Sequence, residues 1–308
     1  MNQLAQLEKM TTIVADTGDI DSINQFQPQD ATTNPSLVLK AIESGQFDAK
    51  LDRLAQQNLT QADFIDHIGV EIGEEILNTV SGYVSTEVDA RLSFNTEKTI
   101  EKARKLISLY EQKGFAKERV LIKIASTWEG IQAAKQLEAE GIKCNLTLLF
   151  SMVQAQACAD VNATLISPFV GRILDWYKNA TGENYSSETD PGVVSVKSIF
   201  NYYKQHGYKT IVMGASFRNI GEIQALAGCD RLTIAPALLD ALKNNDQPLE
   251  QQLFDNGKVS EKPDVISEDD FRLALNADAM ATEKLAEGIR NFIKDQQTLE
   301  QLIAKRYY

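Results

Sequence analysis

The residue with the clearest chemical potential in this sequence is a lysine inside an apolar segment. Lys123 lies within Val120–Ser126 (VLIKIAS), where every neighbour except the last residue is hydrophobic. An apolar run of this length without a polar face is typical of a strand that is buried on both sides, as in a parallel sheet. Burial disfavours the charged form of an amine. The segment therefore predicts a lysine that can act as a neutral nucleophile.

The free energy required for this role is within what burial provides. A lysine with an ordinary pKa near 10.4 is unprotonated in about one molecule in 2,500 at pH 7. Lowering that pKa to about 7 costs about 4.6 kcal/mol, and full burial can impose a penalty of this size. A neutral lysine amine attacks carbonyl carbons and forms Schiff bases, with nearby carboxylates transferring the protons.

The elements that must position this lysine alternate between strands and helices. Short segments rich in β-branched residues and bounded by turn residues predict eight strands, with amphipathic helices between them. Eight alternating units favour a (β/α)8 barrel. A doubly wound open sheet is less favoured because no G-x-G-x-x-G motif follows a strand. The predicted strands are Thr11–Asp16, Ala31–Asn34, Tyr83–Asp89, Val120–Ser126, Cys144–Phe150, Ala163–Phe169, Thr210–Ala215 and Arg231–Ala235.

Local signals predict where several helices begin and end. Ser126–Glu129 and Ser151–Gln154 each have the sequence of a capping box at a helix start, and Gly141 stands where the first of these helices would stop. Residues 51–80 are predicted to be helical. Residues from about 266 to 305 are predicted to form two or more additional helices that pack on the barrel at the C-terminus.

Composition and charge restrict the class of protein. The chain has 308 residues, of which 43% are hydrophobic and 24% charged, as in an ordinary globular protein, and we predict one domain over residues 1–308. A net charge of −12 disfavours a broad nucleic-acid surface. No apolar run approaches about 18 residues, the N-terminus lacks a signal-peptide pattern, and three widely spaced cysteines do not suggest a disulfide framework. We therefore expect a cytoplasmic protein without nucleic-acid or membrane partners.

Polar residues stand at the predicted carboxyl ends of at least six strands, where barrel enzymes carry their catalytic groups. Side-chain alternation puts Asn145 and Thr147 on one face of their strand. If Leu146 and Leu148 face the helices, Asn145 and Thr147 face the lumen of the barrel. Polar residues at so many strand ends predict one shared site. The residues at or near these ends are Asp16, Asn34, Glu87, Lys123, Asn145, Thr147, Ser167 and Ser216.

Several of these residues also have a structural interpretation. Lys123 could reach the barrel mouth and form an ion pair with Glu87 or Asp16. Alternatively, Glu87 could pair with Arg91 at the surface. Asp16 could simply cap the turn that follows it, and Asn34 could serve only as a helix cap.

Two arginines follow the sixth and seventh predicted strands. Arg172 and Arg218 stand just after the strand ends. Single arginines in such places are usually solvated, but two at neighbouring strand ends suit a phosphate group, which barrel enzymes often bind at their last loops. The sequence therefore favours an anionic small substrate.

The sequence lacks the residues that several other catalytic mechanisms require. His67 and His206 are the only histidines, and no H-E-x-x-H, P-loop or G-x-S-x-G motif is present. Metal-dependent hydrolysis, nucleotide hydrolysis and a Ser-His-Asp triad are thus disfavoured, and we predict no metal and no cofactor. A desolvated lysine near carboxylates remains, which is the equipment for Schiff-base chemistry on a carbonyl.

Long stretches of the sequence resemble the signature stretches of the transaldolase family, and the resemblance covers nearly the whole chain. They are Asp30–Ser36 (DATTNPS), Ser85–Arg91 (STEVDAR), Leu121–Trp128 (LIKIASTW), Cys144–Phe150 (CNLTLLF), Ile166–Arg172 (ISPFVGR), Met213–Arg218 (MGASFR) and Asn276–Glu283 (NADAMATE).

The resemblance implies a role for each candidate residue. Lys123 matches the Schiff-base lysine, which lies on the fourth strand in this family, and the strand count places Lys123 there as well. Asp16 matches the carboxylate that removes the C4 hydroxyl proton of the substrate. Glu87 and Thr147 match a pair that holds a water and transfers protons. The matches to substrate-binding residues are Asn34, Asn145 and Ser167 for the dihydroxyacetone unit, and Arg172, Ser216 and Arg218 for the phosphate.

The implied reaction belongs to the pentose phosphate pathway. It transfers a dihydroxyacetone unit from sedoheptulose 7-phosphate to glyceraldehyde 3-phosphate and yields erythrose 4-phosphate and fructose 6-phosphate. Fructose 6-phosphate aldolase is the related alternative, but it is shorter and carries tyrosine where this sequence has Phe169. A non-catalytic sugar-phosphate binding protein is a third hypothesis. Family members are often dimers, so a homodimer is an assembly that the resemblance suggests.

Overall fold

Eight parallel strands close into a barrel in the computed structural model, which describes residues 1–308. Each strand is hydrogen-bonded to the next one along the chain, and β1 pairs with β8 to complete the ring. The predicted (β/α)8 barrel is confirmed, although most predicted strands ran past the observed ends. The strands are β1 Thr12–Asp16, β2 Asp30–Thr32, β3 Val84–Glu87, β4 Val120–Ala125, β5 Cys144–Leu149, β6 Leu165–Pro168, β7 Ile211–Gly214 and β8 Arg231–Ile234.

Fourteen α-helices and three short 3-10 helices accompany the strands, and α14 at the C-terminus is the longest, with 29 residues. None of them combines the length and the apolar character that a bilayer crossing requires. The helices are α1 Gln3–Leu7, α2 Ile20–Phe26, α3 Pro35–Glu43, α4 Asp48–Leu54, α5 Gln61–Thr79, α6 Thr96–Gln112, α7 Trp128–Ala139, α8 Met152–Asp160, α9 Gly171–Thr181, α10 Pro191–Gln205, α11 Ile220–Ala225, α12 Pro236–Lys243, α13 Glu268–Ala277 and α14 Ala279–Tyr307.

Two of the predicted helix boundaries need correction. The cap of α7 is Thr127, whose side chain accepts the N–H of Gly130 at 3.0 Å, because the Ser126 hydroxyl instead donates to the Thr147 carbonyl of β5. The segment 51–80 is not one helix, since it breaks between α4 and α5 at Asn58, which has a left-handed backbone. The capping box at Ser151 is confirmed with both of its bonds, and Gly141 follows the end of α7 with φ +76°.

The C-terminal helix α14 packs against α3, α9 and the end of β5, so it lies beside the carboxyl ends of the strands. The strand β5 bulges between Leu146 and Leu149, and Leu148 has a left-handed backbone with φ +51°. This turns the Leu148 side chain toward α14. A Cβ at Gly288 would stand 2.6 Å from that side chain, so a larger residue here would force Leu148 to move.

Candidate active site

An apolar layer inside the barrel forms the floor of the candidate site. Val14, Leu121, Leu165 and Met213 pack together there, on β1, β4, β6 and β7. Alternation brings the residue two positions later on each strand to the same face, one layer closer to the carboxyl end. The residues in this second layer are Asp16, Lys123, Ser167 and Ala215, and all four line one cavity of about 190 Å³.

Lys123 is the centre of this layer. It is 5% exposed, and its Nζ donates a hydrogen bond to the Thr33 carbonyl at 3.1 Å. The β3–β4 register sets Glu87 beside Lys123, with Glu87 Oε2 at 3.7 Å from Nζ. The ion pair considered from the sequence therefore exists, but it lies inside the site. The alternative prediction, a surface ion pair between Glu87 and Arg91, is wrong, because Arg91 contacts Asp89 and Glu300 instead.

Asp16 faces Lys123 from β1. Its Oδ1 accepts a hydrogen bond from the Thr32 hydroxyl at 3.0 Å, and that hydroxyl is 2.7 Å from the hydroxyl of Thr233. Burial raises the pKa of Asp16, although the Lys123 charge and the Thr32 bond oppose this shift. The turn after β1 is held by Thr17 and Asp19, so the structural role considered for Asp16 is filled by its neighbours.

Glu87 and Thr147 each present a buried oxygen that has no hydrogen-bond partner in the protein, Oε2 and Oγ1 respectively. Burial raises the pKa of Glu87 to about 7, and the nearby Lys123 charge counteracts part of that effect. A carboxyl group with a pKa near neutrality can both take up and release a proton at physiological pH. Glu87 lines a smaller adjoining cavity that shares Asn34 with the main one.

Three amide and hydroxyl side chains cross the site. Asn145 donates from Nδ2 to the Ser85 hydroxyl at 3.1 Å, and the Ser167 hydroxyl donates to Asn145 Oδ1. Asn34 lines the main cavity and also caps α3, since its Oδ1 accepts the N–H of Leu37 at 3.0 Å. The helix cap proposed from the sequence is therefore present without removing Asn34 from the site.

The two arginines line the same cavity, Arg172 from the start of α9 and Arg218 from the loop after β7. The Arg172 guanidinium stacks on the Phe169 ring at 4.7 Å and on the Phe292 ring of α14 at 5.6 Å. Burial, together with the neighbouring charge of Arg218, lowers the pKa of Arg172. Arg218 is more exposed, and Asp175 holds its Nη2 at 2.8 Å. Two cations that line one cavity repel each other, and an anionic ligand relieves that repulsion.

Eight of the eleven candidate residues line the main cavity, and the other three, Glu87, Asn145 and Thr147, are buried beside it. Sequence reasoning missed Thr32, Thr233, Phe217 and Phe292. The two threonines are polar residues within predicted strands, a signal that was available. Phe292 lies on α14, more than a hundred residues after Phe169, and no local pattern connects the two.

The buried Glu87 predicts a measurable pH dependence of stability. Because its folded pKa of about 7 exceeds the ordinary 4.5, the stability that this proton contributes is complete below about pH 4.5 and is lost as pH rises through about 7. The free energy of unfolding of Glu87→Gln, taken relative to that of the wild type, should therefore be about 2 kcal/mol higher at pH 8 than at pH 5. Urea unfolding at both pH values tests this, and a difference between the two proteins that does not change with pH would contradict it.

A family model and individual relatives agree on the family to which this chain is similar. Residues 13–303 match the family model described as transaldolase/fructose-6-phosphate aldolase. The chain is similar to a transaldolase of Alteromonas mediterranea, at 61% identity over 99% of this chain and 98% of the relative. It is also similar to a transaldolase of a Marinomonas species, at 61% over 98% of both chains, and to transaldolase A of Pasteurella multocida, at 56% over 99% of both.

Proposed function

This chain belongs to the transaldolase/fructose-6-phosphate aldolase family, and from that premise we propose that it is a transaldolase, a transferase that acts on sugar phosphates. Its donor is sedoheptulose 7-phosphate and its acceptor is glyceraldehyde 3-phosphate. The observation that supports this most strongly is the buried Lys123 amine, which faces a cavity lined by Asp16 and by two arginines. The products are erythrose 4-phosphate and fructose 6-phosphate.

The first stage of the reaction joins the donor to Lys123. The Lys123 ammonium first passes a proton to Glu87, and the resulting neutral amine attacks the C2 carbonyl carbon of the ketose and forms a carbinolamine. Glu87, 3.7 Å from Nζ, delivers a proton to the departing hydroxyl, which leaves as water and generates an iminium ion. The unpartnered oxygens of Glu87 and Thr147 suit a water that relays these protons.

The second stage breaks and forms the carbon–carbon bond. Asp16 removes the proton of the C4 hydroxyl, the C3–C4 electron pair moves into the iminium, and erythrose 4-phosphate leaves as the aldehyde. The three-carbon enamine stays on Lys123 and attacks the aldehyde carbon of glyceraldehyde 3-phosphate, with Asp16 returning the proton. Hydrolysis of the new iminium releases fructose 6-phosphate. Asn34, Asn145 and Ser167 hydrogen-bond the dihydroxyacetone unit throughout.

Arg172, Ser216 and Arg218 hold the phosphate. Because the phosphate does not change during the reaction, Arg218 binds the ground and transition states alike. Arg218→Ala should therefore raise KM for phosphorylated substrates by about 10- to 100-fold and change kcat by less than about threefold. Arg104→Ala is the control, because Arg104 forms an exposed ion pair with Glu140 on the outer helices. A fall in kcat with an unchanged KM would contradict this role.

In this proposal, Phe169 favours transfer of the dihydroxyacetone unit over its release by simple cleavage. Its ring lines the cavity and stacks on Arg172, so a tyrosine here would add a proton donor to the wall of the site. Phe169→Tyr should raise the ratio of dihydroxyacetone release to transfer by about tenfold, since the enamine is protonated before the acceptor arrives. Phe217→Tyr adds the same hydroxyl elsewhere in the cavity and is the matched control. An unchanged ratio in Phe169→Tyr would show that this position is not the determinant.

One assay tests the proposed function against its alternatives. The enzyme should form fructose 6-phosphate from sedoheptulose 7-phosphate only when glyceraldehyde 3-phosphate is present. Release of free dihydroxyacetone from fructose 6-phosphate, at a rate that matches transfer, would instead indicate a lyase. No turnover at all would favour a sugar-phosphate binding protein. A homodimer, a cytoplasmic location and a single domain over residues 1–308 remain predictions.

A further inference from the structure

A buried pair of carboxyl groups lies next to the loop that carries Arg218. Glu222 on α11 is 0% exposed and Asp190, the cap of α10, is 2% exposed, and the two carboxyl groups lie close enough to shift each other's pKa. Two ionised carboxylates in contact cannot both persist in a buried environment. Burial raises the pKa of both groups, which favours a single proton shared by the pair.

The hydrogen bonds around the pair indicate where that proton lies. Asp190 Oδ1 accepts the N–H groups of Gly192 at 2.8 Å and Val193 at 3.2 Å, which stabilise its ionised form. Glu222 Oε1 accepts no bond in the protein. Burial, reinforced by the Asp190 charge, raises the pKa of Glu222 to about 7. Glu222 is thus the partner that holds a proton more readily, and in that form it can donate to Asp190.

The other oxygen of Glu222 holds the arginine loop. Glu222 Oε2 accepts the backbone N–H of Arg218 at 2.7 Å. Two residues earlier, Ser216 has a left-handed backbone with φ +63°, which is costly for a residue other than glycine and must be maintained by its surroundings. The Glu222 bond is one of the contacts that impose this loop conformation.

The segment that carries Arg172 packs tightly against the Arg218 loop and the start of α10. A Cβ at Gly171 would stand 2.5 Å from the Ser216 carbonyl oxygen, and a Cβ at Gly192 would stand 2.2 Å from the Val170 carbonyl oxygen. The starts of α9 and α10 and the Arg218 loop therefore contact one another with no free space between their backbones. The Asp190–Glu222 pair joins two of these three segments.

We propose that Glu222, together with Asp190, is a positioning residue that sets the distance between Arg218 and Arg172 and so determines the preference for phosphorylated substrates. This role rests on the proposed function, because it requires the two arginines to bind the substrate phosphate. Glu222 does not touch the substrate. It acts through the Arg218 backbone and through the shared packing of the loop.

Substitutions at Glu222 separate this role from general stability. Glu222→Gln keeps both bonds, since its Nε2 donates to Asp190 and its Oε1 accepts the Arg218 N–H. Glu222→Leu and Glu222→Met fill a similar volume but lose both bonds. Glu138→Leu is the matched control, because Glu138 is a half-buried carboxylate that accepts the N–H groups of Cys144 and Thr164, beside the starts of β5 and β6.

The experiment compares two probes of the same lysine. Each full-length protein is incubated with fructose 6-phosphate or with dihydroxyacetone, which lacks the phosphate, and the Schiff base is trapped with borohydride. Glu222→Leu and Glu222→Met should raise the fructose 6-phosphate concentration for half-maximal labelling of Lys123 by about tenfold, equivalent to about 1.4 kcal/mol. Labelling by dihydroxyacetone should change less than about twofold in all variants. Glu222→Gln and Glu138→Leu should match the wild type with both probes.

Three results would overturn the positioning role. The first is an unchanged fructose 6-phosphate requirement in the leucine and methionine variants. The second is an equal loss of labelling with both probes in both variants, which would show that Glu222 serves folding alone. The third is the same tenfold effect in Glu138→Leu. Failure of wild-type Lys123 to be labelled by either probe would instead refute the proposed function.

Discussion

Lys123→Met is expected to lower kcat for the formation of fructose 6-phosphate by at least about 10⁴-fold. Methionine fills a similar volume in the buried layer but carries no nucleophile. Lys123 is the only lysine that lines the cavity, so no other amine can form the Schiff base there. The measurement is the initial rate with saturating sedoheptulose 7-phosphate and glyceraldehyde 3-phosphate.

Lys143→Met is the matched control for this substitution. Lys143 directly precedes β5, is half-buried and donates to the Tyr83 hydroxyl at 2.9 Å, away from the carboxyl ends of the strands. Its replacement also removes a partly buried lysine side chain but should leave kcat within about twofold of the wild type. Retention of more than about 1% of the wild-type kcat in Lys123→Met would exclude covalent catalysis by this residue.

Asp16→Asn is expected to lower kcat by about 10³-fold while leaving Schiff-base formation intact, because the role that we propose for the carboxylate is confined to the C4 hydroxyl. Asparagine retains an oxygen that can accept the Thr32 bond, so the local structure should persist. Borohydride trapping of this variant with fructose 6-phosphate should capture the intact six-carbon sugar phosphate on Lys123. The wild type should also yield the three-carbon fragment.

Asp19→Asn provides the control for the aspartate substitution. Asp19 is exposed, lies three residues after Asp16 and caps α2, a role that asparagine can fill. Its variant should keep wild-type turnover. Loss of all trapping in Asp16→Asn would assign Asp16 to Schiff-base formation rather than to bond cleavage, and a decrease in kcat of less than about tenfold would remove it from the mechanism.

The strands could be predicted because each is a short local pattern. The Val120–Ala125 strand is apolar along its whole length, and the turn residues around it limit its extent to within one residue of the observed end. The helical region 51–80 was less predictable, since the break at Asn58 depends on one left-handed residue inside an otherwise helical pattern. Where Ser126 and Thr127 compete to cap α7, the outcome depends on the hydrogen bond of Ser126 to β5, a contact that sequence alone does not contain.

The candidate site was predictable for a related reason. A closed parallel barrel brings the carboxyl ends of all strands together, so Asp16, Lys123 and Ser167 converge once the strand ends are known. The supporting contacts follow from packing between distant segments and could not be predicted. Phe292 meets Arg172 only because α14 returns to the barrel mouth, and Glu222 meets Asp190 only because α10 and α11 are adjacent to the same loop.

The central claim is that the Lys123 amine is the covalent nucleophile, and peptide mass mapping after borohydride reduction tests it most directly. The protein is incubated with fructose 6-phosphate without acceptor, reduced and digested. We expect one stable sugar-derived adduct, located on Lys123, and none on the other lysines. Absence of an adduct under saturating substrate, or an adduct at a different lysine, would contradict the account.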